Sequence, residues 1–255
     1  LVNNAGIFVG PGGMVNAASF VGSTLDVDPQ QFMNAGADGY HLHGNSYAPI
    51  VNQGSITAEK GDVFLIAQKV ENRGTISAPN GRAGLVGVGR EADRTEVVLH
   101  EVGGSGFAVR VAQLEGADAV GSNHNLPDGE ELLNEGQIAA AQAELNASGN
   151  IYALAIKNSG TIRAKAVVAN ADGTVRLDGG LGDVMNTGKI VAQNAGDEAT
   201  AAGGKIEING QNITTSPESI ITAAGGVQGG QGGKVKIDSA DTTLVQGKLD
   251  GAKVD

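Results

Sequence analysis

One short pattern recurs along the chain: apolar, any residue, Asn, any residue, Gly, any residue, Ile, any residue, Ala. It runs from Ile50 through Asn52, Gly54 and Ile56 to Ala58, and from Val70 through Asn72, Gly74 and Ile76 to Ala78. It returns from Leu132 through Asn134, Gly136 and Ile138 to Ala140. Two further copies run from Ile156 through Asn158 and Gly160 to Ala164, and from Val184 through Asn186 and Gly188 to Ala192. Degraded copies follow around Ser219 and Gly247. A repeat of this size marks a solenoid, in which each unit buries its apolar face only by stacking on the next.

The glycines and their substitute stand at 54, 74, 136, 160, 188, 219 and 247, at intervals of 20, 62, 24, 28, 31 and 28 residues. The interval of 62 fits about three coils, two of them without a legible copy. Alternation with period two within each copy argues strand. Glycine suits a turn that needs positive φ, and asparagine suits the same turn. The Asn side chains at 52, 72, 134, 158 and 186 are expected to stack as a ladder that satisfies turn backbone.

A second strand type begins at Gly61, Gly149, Gly173, Gly204 and Gly233. Its inward set is Val63, Leu65, Ile151, Val175, Leu177, Ile206, Ile208, Val235 and Ile237. Its outward set includes Phe64, Tyr152, Arg176, Glu207 and Lys236, the last three forming a charge ladder. That ladder argues against a substrate groove on its face. Two or three short strands per coil joined by turns describe an all-β, single-stranded parallel β-helix of about 8–10 coils, the larger number giving a rod of roughly 48 Å. Helix is expected only at Asp28–Asn34 and Glu130–Leu133. The reading divides the chain into a segment at 1–80 and a continuing helix at 81–255, with an irregular loop region near 91–131.

Composition agrees with a narrow aliphatic core: 40% of the residues are apolar but only 3% are aromatic. Glycine does not recur every third residue, so collagen is excluded. With no cysteine there is no disulfide framework. A net charge of −11 argues against nucleic acid and anionic lipid as partners. Leu1 begins in mid-pattern with no charged leader, so the chain reads as an internal piece of a longer protein.

The opening stretch carries Asn3, Gly6 and Ile7, then Val15-Asn16, Ser23-Thr24-Leu25-Asp26 and Phe32. In that order these residues resemble the filamentous-haemagglutinin N-terminal domain of two-partner secretion exoproteins. That family opens on Asn-Pro-Asn-Gly-Ile, and here Asn4 and Ala5 depart from its Pro and second Asn. The resemblance implies a right-handed β-helix, a secretion motif at Asn3, Gly6 and Ile7, and an outer-membrane two-partner transporter as export partner. It further implies secretion to the cell surface of a Gram-negative-type bacterium, as an adhesin or fibre component that meets a surface receptor or glycan.

Other constellations are weaker. His41 and His43 could share one strand face, but no third metal ligand is evident, so they read as a solvated or hydrogen-bonded pair. His100 and His124 are single. Asp118–Glu131 is rich in carboxylates without the spacing of a calcium loop. Gly225–Gly233 lacks the Lys-Ser/Thr end of a phosphate loop and reads as a turn. A carbohydrate-active enzyme, polysaccharide lyase or glycosidase, is the alternative function, since such enzymes need paired carboxylates. Only Asp178 and Glu207 lie near each other on adjacent copies. No Ser/His/Asp set has a catalytic context. No catalytic residue, metal site or cofactor is assigned, and the chain is read as non-enzymatic, with a glycan-binding module between the two readings.

Overall fold

A computed structural model describes residues 1–34, 39–89, 95–102, 106–113, 131–148, 154–167, 172–197 and 199–251. It is a parallel β-helix. The five Asn-bearing strands belong to one row of eight: Ile7–Val9, Ile50–Asn52, Val70–Asn72, Leu132–Asn134, Leu154–Asn158, Asp183–Asn186, Ile213–Thr215 and Thr243–Leu244. The Ile–Ala strands form a second row, from Met14–Ala17 to Lys248–Asp250. A third row runs from Phe20–Ser23 to Lys234–Ser239. Thr75–Gly87 and Gln137–Ala147 each pass without a break through the second row and the third, so these two rows join into one 13-stranded sheet. Eight coils at the strand spacing give a stack of roughly 34 Å.

The core is the aliphatic ladder that the alternation predicts. Ile56, Ile76, Ile138, Ile162 and Ile190 are fully buried or within 1% of it. They stand opposite one another in strict register, Ile56 to Ile76 to Ile138 to Ile162 to Ile190. Val63, Leu65, Val175, Leu177, Ile206 and Ile208 fill the third-row side, each fully buried, while Val235 and Ile237 pack against them half-buried.

Three expectations are corrected. No coil is missing between Gly74 and Gly136: Thr75 pairs directly with Gln137, and Val70 with Leu132. The extra residues leave the helix instead, so the interval measures an excursion and not coils. Second, the third-row strand of the fourth coil is not the stretch after Gly149. Ala143, Glu144 and Leu145 stand opposite Val175, Arg176 and Leu177 and take that place, whereas residues 149–153, with Ile151 and Tyr152, lie outside the described residues. Third, Leu132 and Leu133 are strand and not helix, while Pro29–Asn34 is a short helix within the stretch expected to be one.

The turn glycines also serve a different purpose from the one their sequence suggests. Gly54, Gly74, Gly136, Gly160 and Gly188 have no positive φ. A Cβ on any of them would overlap the carbonyl oxygen of the glycine one coil before, Gly13 for Gly54. Close stacking of backbone on backbone, and not left-handed conformation, requires glycine there.

Two long excursions leave at one corner, after the third-row strand. They come together in a four-stranded antiparallel sheet in the order Gly106–Gln113, Thr95–Val102, Tyr40–His43 and Asp26–Val27. Val97 stands opposite Leu42 and Val98 opposite His41, so residues from the first and third coils' excursions pair across the intervening coil. This sheet covers a second apolar cluster of Leu25, Leu42, Phe64, Ile66, Val86, Val88, Val97 and Leu99. Phe64 therefore points outward from the helix, as its strand phase requires, yet is only 1% exposed.

Candidate functional site

The first turn is built by its own amide. Asn3 Nδ2 donates to the Gly6 carbonyl at 2.8 Å, and Asn3 Oδ1 accepts from the Ala5 backbone at 3.2 Å. The Gly6 N–H closes the turn on the Asn3 carbonyl at 3.0 Å. Gly6 has φ of 105°, a conformation that glycine alone adopts without strain. Ile7 then enters the core and pairs with Ile50. Asn4 Nδ2 donates to Asp26 Oδ2 at 3.0 Å, and Ser46 Oγ donates to the Asn4 carbonyl at 2.7 Å, which tie the turn to the first excursion. Asn3, Asn4 and Ala5 themselves are exposed. The structure thus brings Asn3, Gly6 and Ile7 together as one presented turn.

The five asparagines form a continuous buried ladder. Each Nδ2 donates to the Oδ1 of the next: Asn52 to Asn72 and Asn72 to Asn134 at 2.8 Å, then Asn134 to Asn158 and Asn158 to Asn186 at 2.7 Å. All five are within 1% of complete burial. Asn52 Oδ1 also accepts from the Gly54 N–H at 3.1 Å. The ladder ends at Asn186. In the next coil Thr215 exchanges hydrogen bonds with Gln246 instead, accepting its N–H at 2.7 Å and donating to its carbonyl at 2.6 Å.

The charge row occupies the expected register, Arg176 opposite Glu207 and Glu207 opposite Lys236, with Glu144 preceding Arg176. Its direct ion pairs run along each strand and not between coils: Arg176–Asp178 at 2.9 Å, Lys205–Glu207 at 2.7 Å and Lys236–Asp238 at 3.0 Å. The hydrogen bond from Lys205 holds the Glu207 carboxyl below its usual range. Burial opposes this, and the charges of Lys205, Arg176 and Lys236 add to the lowering.

The charge row argues against a substrate groove on this face, yet a groove borders it. The row begins at Val21 and passes through Phe64 and Gly84, beneath the antiparallel sheet, before it reaches Glu144. Where the strand Gly106–Gln113 ends its cover, a groove of about 450 Å³ opens, with Arg82, Arg110, Arg176, Glu144, Asn146 and Asp178 among its walls. Asp62, only 2% exposed, fixes that wall: its two carboxylate oxygens accept the backbone N–H groups of Arg82 and Phe107. Arg82 Nη1 returns a hydrogen bond to the Phe107 carbonyl at 3.0 Å. The signal for this hairpin lay in the sequence: two β-rich runs flank Gly103-Gly104-Ser105-Gly106.

His41 pairs with Glu96 at 2.8 Å, and His43 is exposed on the same strand. Among the described residues no group of three or more His, Asp and Glu side chains is placed to hold a metal ion. His100 lies in the hairpin opposite Ala108. His124 and residues 118–130 lie outside the described residues. Gly225–Gly233 is a turn closed by a Gly226–Gly229 bridge. Asp178 stands opposite Asn209, so Glu207 and Asp178 sit diagonally on adjacent coils, each paired to a cation.

The crystal structure of the HMW1 secretion domain from Haemophilus influenzae has the same fold. The two align with a TM-score of 0.74 at 24% sequence identity, over 98% of this chain and 62% of that one. At that identity the likeness is one of fold. The chain spans about three fifths of the length of the solved structure it matches. No protein-family model and no curated protein sequence matches the chain.

Proposed function

We propose that this β-helix is the secretion-type N-terminal part of an exoprotein that leaves a Gram-negative-type bacterium through an outer-membrane partner transporter. In this reading residues 1–80 form the secretion segment and 81–255 continue the helix outward. The exoprotein then serves at the cell surface as an adhesin or fibre component. The observation that carries the reading is the likeness in fold to a secretion domain over nearly the whole chain. The exposed Asn3 turn supports it, because a transporter needs an accessible and rigid feature, and the Asn3 amide rigidifies this one without being part of the core.

The test is export. Asn3→Ala, in the full-length protein with its cognate transporter, leaves product in the cell envelope while the purified variant keeps the wild-type melting temperature. Wild-type export of Asn3→Ala rejects the role of that residue. We read the chain as non-catalytic. The enzyme alternative has one observation in its favour, Glu144 and Asp178 lining a single groove. Release of reducing ends from polysaccharide by the wild type, lost in Glu144→Gln, is the result that would move the assignment to a glycosidase.

A further inference from the structure

The groove beside the hairpin gathers side chains of both charges. Three arginines line it from three separate elements: Arg82 from the third coil, Arg110 from the hairpin and Arg176 from the fifth coil. They meet in a chain whose net charge is −11. Two carboxylates, Glu144 and Asp178, and the Asn146 carboxamide share the same walls. Arg82 and Arg176 are partly engaged, by the Phe107 carbonyl and by Asp178. The side chains of Arg110, Glu144 and Asn146 make no hydrogen bond or ion pair among the described residues.

The unpaired groups decide what can fill this space. A free guanidinium offers only donors, a free carboxylate only acceptors, and a carboxamide both. A simple anion would satisfy Arg110 but face Glu144 and Asp178. A simple cation would face three arginines. An apolar ligand would cover all three unpaired groups and leave them unsatisfied, at a cost of about 1–3 kcal/mol each. A chain of hydroxyl groups, each both donor and acceptor, can serve all three at once. We propose that this groove is a saccharide-binding site, in which Arg110, Glu144 and Asn146 take the ring hydroxyls and Arg82 and Arg176 flank them.

The walls suit such a ligand. The floor is a parallel sheet, in which Glu144 stands opposite Arg176 and Asn146 opposite Asp178 on the adjacent coil. The roof strand is held by the buried Asp62 clamp, so the groove exists before any ligand arrives. Recognition here is by hydrogen bonds, because none of the lining residues is aromatic. This proposal does not rest on export: it concerns the folded, purified chain, and either reading can fail without the other.

The experiment is a glycan array of neutral, amino-sugar and uronate oligosaccharides probed with the purified protein, followed by calorimetric titration of the best binder. Arg110→Ala and Glu144→Gln each weaken binding roughly tenfold, as expected for a hydrogen bond to a charged group. Arg73→Ala, a guanidinium outside this groove, leaves binding within about twofold of wild type. Thermal unfolding of each variant confirms the fold. Absence of binding to every oligosaccharide overturns the proposal, as does binding that survives both groove changes. Sulfate binding that Arg110→Ala weakens and Glu144→Gln tightens, with no sugar bound, would reduce the groove to a plain anion site and overturn it equally.

Discussion

Replacing Asn158 with alanine tests the ladder where it is most constrained. Asn158 is fully buried, its Oδ1 accepts from Asn134 at 2.7 Å, and its Nδ2 donates to Asn186 at 2.7 Å. Alanine removes both bonds and strands a buried donor on Asn134 and a buried acceptor on Asn186. An orphaned buried polar group costs about 1–3 kcal/mol, so two give roughly 2–6 kcal/mol. For a chain of this size each kcal/mol lowers Tm by about 2–4 °C. The expected drop is therefore on the order of 5–20 °C. Asn186→Ala supplies the internal comparison. Asn186 is the last rung, with only a long contact of 3.4 Å from its own Nδ2 to the Gly188 carbonyl. Its loss orphans one ladder group, the Asn158 Nδ2, and costs about half as much. The assay is thermal and urea unfolding of both variants, with hydrogen exchange at residues 134 and 186 to localise the effect. Equal losses in the two variants, or a neutral Asn158→Ala, would refute the view that the rungs act through their neighbours.

Ile162 is fully buried in the aliphatic row, so Ile162→Ala costs about 2–5 kcal/mol, read by the same unfolding experiments. A Cβ at Gly84 would overlap the Phe64 ring. Gly84→Ala therefore destabilises the protein and increases protease cleavage in the hairpin, and Phe64→Ala in the same chain relieves part of that strain in a double-mutant comparison. Glu207 has a depressed folded-state pKa, so its contribution is complete above the ordinary glutamate range and is lost as pH falls through the folded value. Glu207→Gln should remove about 0.2–1 kcal/mol of stability at neutral pH, and should flatten the acid limb of a stability-against-pH curve.

The repeat was legible because each copy states its structure locally. Asn72, Gly74, Ile76 and Ala78 occupy a turn, a close backbone contact and two core positions, and the same residues recur where the same places recur. The alternation of Val175, Arg176 and Leu177 fixed which face was inward, and the pairing with Ile206, Glu207 and Ile208 agrees. Coil number was not legible, because length between glycines does not distinguish stacked coils from chain that leaves the stack. The 62-residue interval contains one coil and one long excursion. The strand Gln142–Ala147 was hidden for a related reason. It continues from Gln137–Ala140 with no glycine turn to mark a new element. The groove was least legible. Arg82, Arg110 and Arg176 lie in three distant stretches of sequence, and it takes the pairing of the two excursions and the Asp62 clamp to put Arg110 beside the coil face.

The corners of the helix divide its labour. At the Asn corner the connection is only two residues in each of the five coils that carry a ladder asparagine, at 53–54, 73–74, 135–136, 159–160 and 187–188, and it lengthens to 10–13, 216–219 and 245–247 in the coils that carry none. The ladder and the stacked glycines explain this: an inserted residue would break a buried hydrogen bond and separate backbones that touch. Among the described residues the corner after the third row carries no ladder, and it is there that the excursions holding Asp26–Val27, Tyr40–His43, Thr95–Val102 and Gly106–Gln113 depart. The second-to-third-row corner is direct in the third and fourth coils and opens to 194–204 and 223–233 later. Chain length therefore varies only where no buried polar row forbids it. Because a solenoid's stability sums over neighbouring coils, the cost of an excursion falls on the coils it touches and leaves the rest of the stack intact. That freedom is what permits a groove with three unpaired polar side chains to sit on the flank of a helix held together at its opposite edge.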